Sequence, residues 1–206
     1  MKVGFTILIT ILSQNPDACF AQDPAIKSGL KLPAGQIFLE GGLNLSLPAH
    51  DDLIRTHTLG LGITARAATR ITARWEIGLR AEYDYRFAKK NYTDSVFKLN
   101  NKHRGYGVMC LRPGVRYHFK QRYFAGLETG MAYVKLDNDS KTGYGFVEEF
   151  DGSTPIGFSL GLYAGKKFNY GHQIKKLAVS VYWQFFYAES HGESIVGLRS
   201  VYQFGQ

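Results

Sequence analysis

The sequence is poor in cysteine and proline and has no long apolar run, and each of these absences excludes a class of protein. Its 206 residues include 2 cysteines and 6 prolines against 23 glycines, 14 phenylalanines and 13 tyrosines. This composition is typical of an ordered β protein and excludes disorder and collagen. A membrane helix needs roughly 18 consecutive apolar residues. The longest candidate, Val3 to Leu12, is too short, so any insertion into a membrane must use strands.

The first residues have the composition of a secretory signal peptide. Lys2 gives a positive start, an apolar stretch follows, and Cys19 and Ala21 are small residues before a cleavage site. We therefore expect a signal peptide over residues 1–21, a periplasmic segment over residues 22–34 and one domain over residues 35–206. Cys110 would then be the only cysteine left, which excludes an internal disulfide. A lipoprotein acylated at Cys19 is the alternative, although the usual leucine and small-residue run is missing before it.

The net charge of +8 narrows the class of partner. Basic proteins commonly bind nucleic acid, but a secretory signal argues against that partner. The excess charge instead indicates anionic lipid head groups, lipopolysaccharide phosphates or another polyanionic surface.

Apolar residues alternate with polar ones along most of the chain, which is the period of a β-strand. The segment from Arg74 to Phe87 shows it best, with Trp75, Leu79 and Tyr83 on one face and charged residues on the other. Further strands are predicted over residues 36–47, 56–67, 106–119, 123–136, 156–166, 176–188 and 195–204.

The fourth of these strands is the least regular. Residues 112–119 alternate cleanly, but Tyr106, Val108 and Cys110 fall out of phase with them. Because Pro113 cannot donate a hydrogen bond to a neighbouring strand, we expect a β-bulge near it.

The predicted connections alternate in length. Short ones fall near Thr69, near Gln121 and over residues 168–175, and longer polar ones over residues 48–55, 88–103, 137–153 and 189–193. Outer-membrane barrels have short periplasmic turns and longer outer loops. With eight strands, both termini would lie on the periplasmic side.

Glycines decide which face of the strands is inside. Gly62, Gly78, Gly126 and Gly161, among others, share the face that carries the charges, whereas the opposite face is mostly large and apolar. A small barrel interior must mix small side chains with large ones, while a water-exposed face has no such need. The charged face is therefore predicted to be inside, as a packed ionic core rather than a conducting path. Its members are Glu40, Arg66, Arg74, Glu76, Arg80, Glu82, Asp84, Arg86, Arg112, Arg116, Glu128 and Arg199.

Aromatic residues of the apolar face gather toward the strand ends, as the interfacial girdles of a membrane barrel would. They are Tyr83, Tyr85, Phe87, Tyr117, Phe119, Tyr133, Trp183, Tyr187, Tyr202 and Phe204.

The pattern over about residues 35–204 resembles the small outer-membrane β-barrels of the OmpX, Ail and OmpA membrane-domain type, including those common in Bacteroidota. The resemblance rests on the signal peptide, the alternating strands, the run from Pro113 to Tyr117 and a last strand ending at Phe204. It implies an all-β, eight-stranded, antiparallel, up-and-down transmembrane β-barrel in a bacterial outer membrane. It also implies assembly by the barrel insertion machinery, which reads a terminal strand of this kind, although two residues follow Phe204 here.

The outer loops carry the candidate surface chemistry. We expect bases there to contact lipopolysaccharide phosphates. They are Arg55, Lys89, Lys90, Lys102 and Arg104. The opposite rim carries further bases, Lys166 and Lys167 among them, which would face anionic head groups of the inner leaflet.

Three functions remain open at this stage. A monomeric barrel with a structural or surface-interaction role, without cofactor, metal, wide pore or nucleic-acid partner, fits best; its host or surface ligand is not legible. A small enzyme acting on lipid A could use His50, Asp51 and Asp52 with Ser190, His191 and Glu193 of the last loop. The third function is that of a secreted lipocalin-like carrier, whose cavity would have to be the face that carries the glycines and charges.

Overall fold

Eight antiparallel strands close into a single barrel in the computed structural model. It describes residues 37–50, 53–54, 57–89, 105–119, 122–135, 156–170, 175–188 and 191–204. The strands are β1 (Ile37–Pro48), β2 (His57–Arg70), β3 (Trp75–Ala88), β4 (Tyr106–Phe119), β5 (Tyr123–Lys135), β6 (Ile156–Tyr170), β7 (Lys175–Ala188) and β8 (His191–Phe204). Each strand pairs with the next, and β8 pairs back with β1. The predicted signal peptide and periplasmic segment lie outside the described residues.

The two ends of the barrel differ in their connections. At the end that we call the turn end, β2 joins β3, β4 joins β5 and β6 joins β7 through short connections, and β1 begins and β8 ends there. The opposite end, which we call the loop end, has the longer connections from β1 to β2, β3 to β4 and β5 to β6. Within the described residues there is no helix long and apolar enough to cross a membrane.

The apolar face of the strands points outward and the charged face points inward, as predicted. In β3, Trp75 and Leu79 are each 46% exposed, whereas Glu76 is fully buried and Arg80 is 1% exposed. The same alternation appears in β1, where Leu43 is 67% exposed. In this arrangement, large apolar side chains face the surroundings of the barrel and charged side chains fill its centre.

The outward aromatic residues pack against each other near both ends of the barrel. At the turn end, the rings of Trp75 and Tyr117 lie 4.9 Å apart, as do those of Tyr202 and Phe204. At the loop end, Tyr85 lies 5.1 Å from Phe87. These contacts form the two aromatic bands that the sequence predicted.

The irregularity expected in β4 is not there. Tyr106, Val108 and Cys110 are buried on the same face as Arg112 and Arg116. The pairing of β4 with β3 and β5 keeps one register along the whole described strand, so the prediction of a bulge near Pro113 was wrong. The prediction failed because the interior near the loop end is itself apolar. Large apolar residues there lie on the inward face of the strand, although their chemistry resembles that of the outward face. A register shift occurs instead in β2, between His57 and Gly60.

The predicted loop over residues 189–193 is wrong for residues 191–193, which belong to β8, while residues 189–190 lie outside the described residues. β7 ends at Ala188 and β8 begins at His191, which pairs with it directly. Glu193 is consequently a strand residue whose side chain points into the barrel, where it is 5% exposed.

Interior glycines make room for interior rings. A Cβ atom on Gly126 would lie 2.3 Å from the ring of Tyr163, and one on Gly197 would lie 2.6 Å from the ring of Tyr182. Both distances are too short for real atoms, so the two rings occupy space that only glycine leaves free. This confirms that small residues on the charged face serve to fill a narrow interior.

Candidate functional site

The charged interior is the candidate site, and its central part is a chain of ion pairs that we call the middle cluster. Arg80 donates two hydrogen bonds to Glu128, at 2.8 and 3.0 Å. Arg112 lies 3.0 Å from Glu82 and 3.8 Å from Glu128, and Arg199 also contacts Glu82. All five side chains are buried, so each charge depends on its neighbours rather than on water.

A second group, which we call the turn-end cluster, surrounds two glutamates below the middle cluster. Arg116 forms a two-pronged contact with Glu40, at 2.5 and 2.8 Å, and lies 3.3 Å from Glu76. Glu76 is also contacted by four other basic groups, two of them side chains of the inner face of β2. The contacts are Arg66 at 3.4 Å, Arg70 at 3.3 Å, His118 at 2.7 Å and Lys167 at 3.5 Å.

A third group, the loop-end cluster, closes the interior near the longer loops. Arg86 donates to Glu193 and, at 2.7 Å, to the hydroxyl of Tyr106, which itself donates to Glu193 at 2.8 Å. Buried apolar side chains cover this triplet. They are Leu53, Val108, Val134, Phe186 and Ile195.

Little free space remains beside the loop-end cluster. A cavity of about 10 Å³ lies among Ser46, Leu53, His57, Arg86 and Ile195. Such a volume holds about one water molecule. The described side chains around this cavity therefore leave room for about one water molecule.

Asp84 lies beside Glu82 of the middle cluster but takes no part in the ion pairs of the described residues. It is 2% exposed, and within the described residues its carboxylate has no ion pair, with one oxygen, Oδ1, unpartnered. A Cβ atom on Gly62 would lie 1.8 Å from that oxygen, so the carboxyl group rests directly over the glycine.

The structure places the residues of the predicted interior network as follows. Every predicted member of the interior network is buried except Arg74, which is a correction. Arg74 is exposed in the turn between β2 and β3, where it donates to the hydroxyl of Tyr117 at 3.2 Å. It precedes β3 by one residue, so the strand alternation that places Glu76 inside does not extend to it.

The predicted network leaves out four buried residues, Glu193, Lys167, His57 and His118. Glu193 was assigned to a loop and Lys167 to the rim of bases that faces the inner leaflet, and no role was given to the two histidines. For Lys167 a signal existed, since it lies at even spacing from Gly161 and Gly165 of the inner face. Its neighbour Lys166 points outward and lies over the rings of Tyr123 and Phe168.

Four of the five rim residues proposed for lipopolysaccharide contact lie outside the described residues. The four are Arg55, Lys90, Lys102 and Arg104. Lys89 is described: it is exposed at the loop end, and its ammonium group donates to the carbonyl of Ile54 at 2.6 Å.

The alternative functions find no support in the described geometry. Of the suggested rim enzyme residues, Glu193 is buried and held by Arg86 and Tyr106, so it cannot serve a histidine at the rim. Asp51, Asp52 and Ser190 lie outside the described residues. A carrier for an apolar ligand would need an apolar lumen, whereas this one is filled with ion pairs. Among the described residues, no group of three or more His, Cys, Asp or Glu side chains could hold a metal ion.

Comparison with known proteins supports the fold. No protein-family model matches the chain, and no curated protein matches it in sequence. Among solved structures it is similar to Neisserial surface protein A, with a TM-score of 0.52 and 10% identity over 81% of this chain and 95% of that one. Two others are Ail of Yersinia pestis in a nanodisc (TM-score 0.49, 11% identity, 82% and 100% covered) and the N-terminal barrel of Pseudomonas aeruginosa OprF (0.43, 13%, 81% and 97%). The chain therefore has the fold of the small eight-stranded outer-membrane β-barrels.

Proposed function

We propose that this protein is an integral barrel of a bacterial outer membrane, with a structural or surface-interaction role exercised through its loop end. It is not an enzyme and forms no wide pore. The observation that carries the proposal is the inside-out packing: large apolar side chains such as Leu43 and Ile63 are more than half exposed, while arginines and glutamates fill the centre.

The exposed apolar belt supports a membrane location. Water-soluble proteins rarely expose contiguous apolar patches beyond a few hundred Å². Here the belt surrounds the barrel and is bounded at both ends by aromatic rings. Hydrocarbon is the surrounding that such a surface fits.

The filled interior supports a role without bulk transport. Successive ionic clusters occupy the described lumen from Glu76 at the turn end to Glu193 at the loop end. A barrel of this size has space for side chains but not for an open channel as well. Interaction with other molecules would therefore fall to the outer surfaces.

We place the loop end at the cell surface and the turn end in the periplasm. In that orientation, Lys89 and the other predicted rim bases, Arg55, Lys90, Lys102 and Arg104, reach the phosphates of lipopolysaccharide. At the opposite rim, Lys166 and Arg122 face the head groups of the inner leaflet.

Cell fractionation combined with gel mobility tests the location. We expect the protein in the outer-membrane fraction, soluble only with detergent, and faster in unheated than in heated samples because the barrel resists the detergent. In planar bilayers the purified barrel should give no large, stable current. Recovery as a detergent-free soluble monomer, or porin-sized currents, would contradict the proposal.

Charge reversal tests the lipopolysaccharide contact. Glutamate at Arg55, Lys89, Lys90, Lys102 and Arg104 together should reduce the lipopolysaccharide that co-purifies with the barrel. Glutamate at the turn-end bases Arg122 and Lys166 is the control and should leave that amount unchanged. Equal co-purification with all variants would show that these loop bases do not bind the phosphates.

A further inference from the structure

The turn-end cluster carries more positive than negative charge. Within the described residues it has two carboxylates, Glu40 and Glu76, against the permanent cations Arg66, Arg70 and Arg116 and the ammonium group of Lys167. His118 adds a further basic group beside Glu76. Fixed negative charge therefore falls short by two in a part of the molecule that is almost entirely buried.

The rest of the described interior has a smaller surplus of basic groups. Nearer the loop end, Arg80, Arg86, Arg112 and Arg199 are equal in number to the acids Glu82, Asp84, Glu128 and Glu193. His57 adds a further basic group there. Unpartnered donors there, such as Arg112 Nε, have unpartnered carboxyl oxygens in the same region, on Glu82 and Asp84. The turn end therefore holds the larger surplus.

Both carboxylates of the turn-end cluster are fully engaged. Each oxygen of Glu40 accepts from Arg116, and the two oxygens of Glu76 share the remaining cations. Even so, Lys167 Nζ and Arg66 Nη2 have no hydrogen-bond partner among the described residues. The two side chains are 10% and 1% exposed, so bulk water does not satisfy them. Buried charged donors left in this state are costly, and an anion would relieve the cost.

The cluster can be reached from outside the barrel. Arg70, at the last position of β2, has a side chain that is 27% exposed while it contacts Glu76 at 3.3 Å. Lys167 meets the same carboxylate oxygen at 3.5 Å. A ligand entering at the turn end would meet these two cations first, with Arg66 behind them.

We infer that the turn-end cluster binds one phosphate group, with Lys167 and Arg70 as its direct contacts. Guanidinium forks and ammonium groups are the side chains that hold phosphate oxygens in proteins. The inference goes beyond the proposed surface role because it concerns the opposite end of the barrel. It also applies to the folded chain whatever surrounds the barrel. The phosphate group is that of free inorganic phosphate or of a lipid head group at the turn-end surface.

Titration of the folded full chain in uncharged detergent tests this site. The probes are inorganic phosphate and the short-chain lipid dihexanoyl phosphatidic acid, with dihexanoyl phosphatidylcholine for comparison, followed by calorimetry and by phosphorus NMR. We expect saturable binding of at least one of the first two probes, and the tighter one identifies the source of the phosphate. Absence of saturable binding for both would overturn the inference.

Adjacent lysines provide a matched control. Lys167→Gln should weaken binding roughly tenfold or more, as loss of a charge-assisted hydrogen bond does. Lys166→Gln removes the same charge one residue away, but on the outer face over Tyr123, and should leave binding unchanged. If both variants weakened binding of the probe equally, the affinity would depend on the net charge of the turn end and not on the contact of Lys167 with phosphate.

Thermal unfolding separates binding from folding. A ligand that binds only the folded state raises the unfolding midpoint. The tighter probe should raise the midpoint of the wild type and of Lys166→Gln more than that of Lys167→Gln, with unheated gel mobility showing that each variant is folded. The same rise in all three would place the bound phosphate elsewhere.

Discussion

The two ends of the barrel interior are filled by different kinds of side chain. At the loop end, one arginine, one glutamate and one tyrosine hydroxyl satisfy each other beneath a cover of Leu53, Phe186 and Ile195. At the turn end, five basic groups crowd around the single carboxylate of Glu76. Among the described residues, the single arginine of the loop-end cluster is thus matched by a single glutamate, whereas the turn end holds surplus charge close to its opening.

The strongest test of this contrast removes the carboxylate at the centre of the turn-end cluster. Glu76→Gln leaves the basic groups around it with only Glu40 for compensation. Because breaking a buried ion pair strands its partners, we expect a loss of about 3–5 kcal/mol in the free energy of unfolding. Urea titration followed by gel mobility in lipid vesicles measures it. Stability equal to the wild type would mean that the cluster is not held by this carboxylate.

The corresponding change at the loop end should cost less. Glu193→Gln keeps the shape and one acceptor oxygen, and it strands only Arg86 and the hydroxyl of Tyr106. The expected loss is about 1.5–3 kcal/mol, the range for hydrogen bonds to charged groups. The same urea titration compares the two variants directly. A larger loss here than for Glu76→Gln would reverse the proposed order of the two ends.

Two glycines test how tightly the interior between the ends is filled. Gly126→Ala places a methyl group against the Tyr163 ring, which is itself enclosed by Arg80 and Arg116. We expect a loss of about 1–3 kcal/mol from overpacking. Gly161→Ala is the control, because its Cβ would meet Arg112 at an ordinary 3.7 Å. Equal stability of the two variants in urea would mean that the Tyr163 ring can move aside.

Removing the cover of the loop end should have the smallest effect. Phe186→Ala together with Leu53→Ala opens space above Arg86 without touching the ionic clusters below. Currents across planar bilayers should stay near the background, since those clusters still fill the lumen. Large, stable openings in this variant would show that the cover alone keeps the barrel closed.

Much of the fold could be predicted from the sequence because a barrel wall has a simple period. Each strand shows alternate residues to two different surroundings, and glycines such as Gly126 mark the crowded side. The prediction for strand β4 failed near the loop end because Tyr106 and Val108 are apolar and yet point into the barrel. The alternation of residues along a strand cannot reveal where the inward face changes from polar to apolar. That change depends on which side chains meet across the lumen.

The candidate site was predictable as a set of residues but not as a set of pairs. Arg116 and Glu40 lie far apart in the chain, and only the closure of the barrel brings them to 2.5 Å. Glu193 was missed because polar residues near a strand end look like a loop. The charge surplus at the turn end depends on Lys167 pointing inward while Lys166 points outward, which one shift of register would reverse.

The pairing of β1 with β8 also constrains how the molecule forms. Leu39 lies opposite Phe204, so β1 keeps one bare edge until β8 has been made. Exposed strand edges invite pairing with other chains, and contacts between distant residues form slowly. The bare edge of β1 must therefore be shielded from other chains until β8 pairs with it.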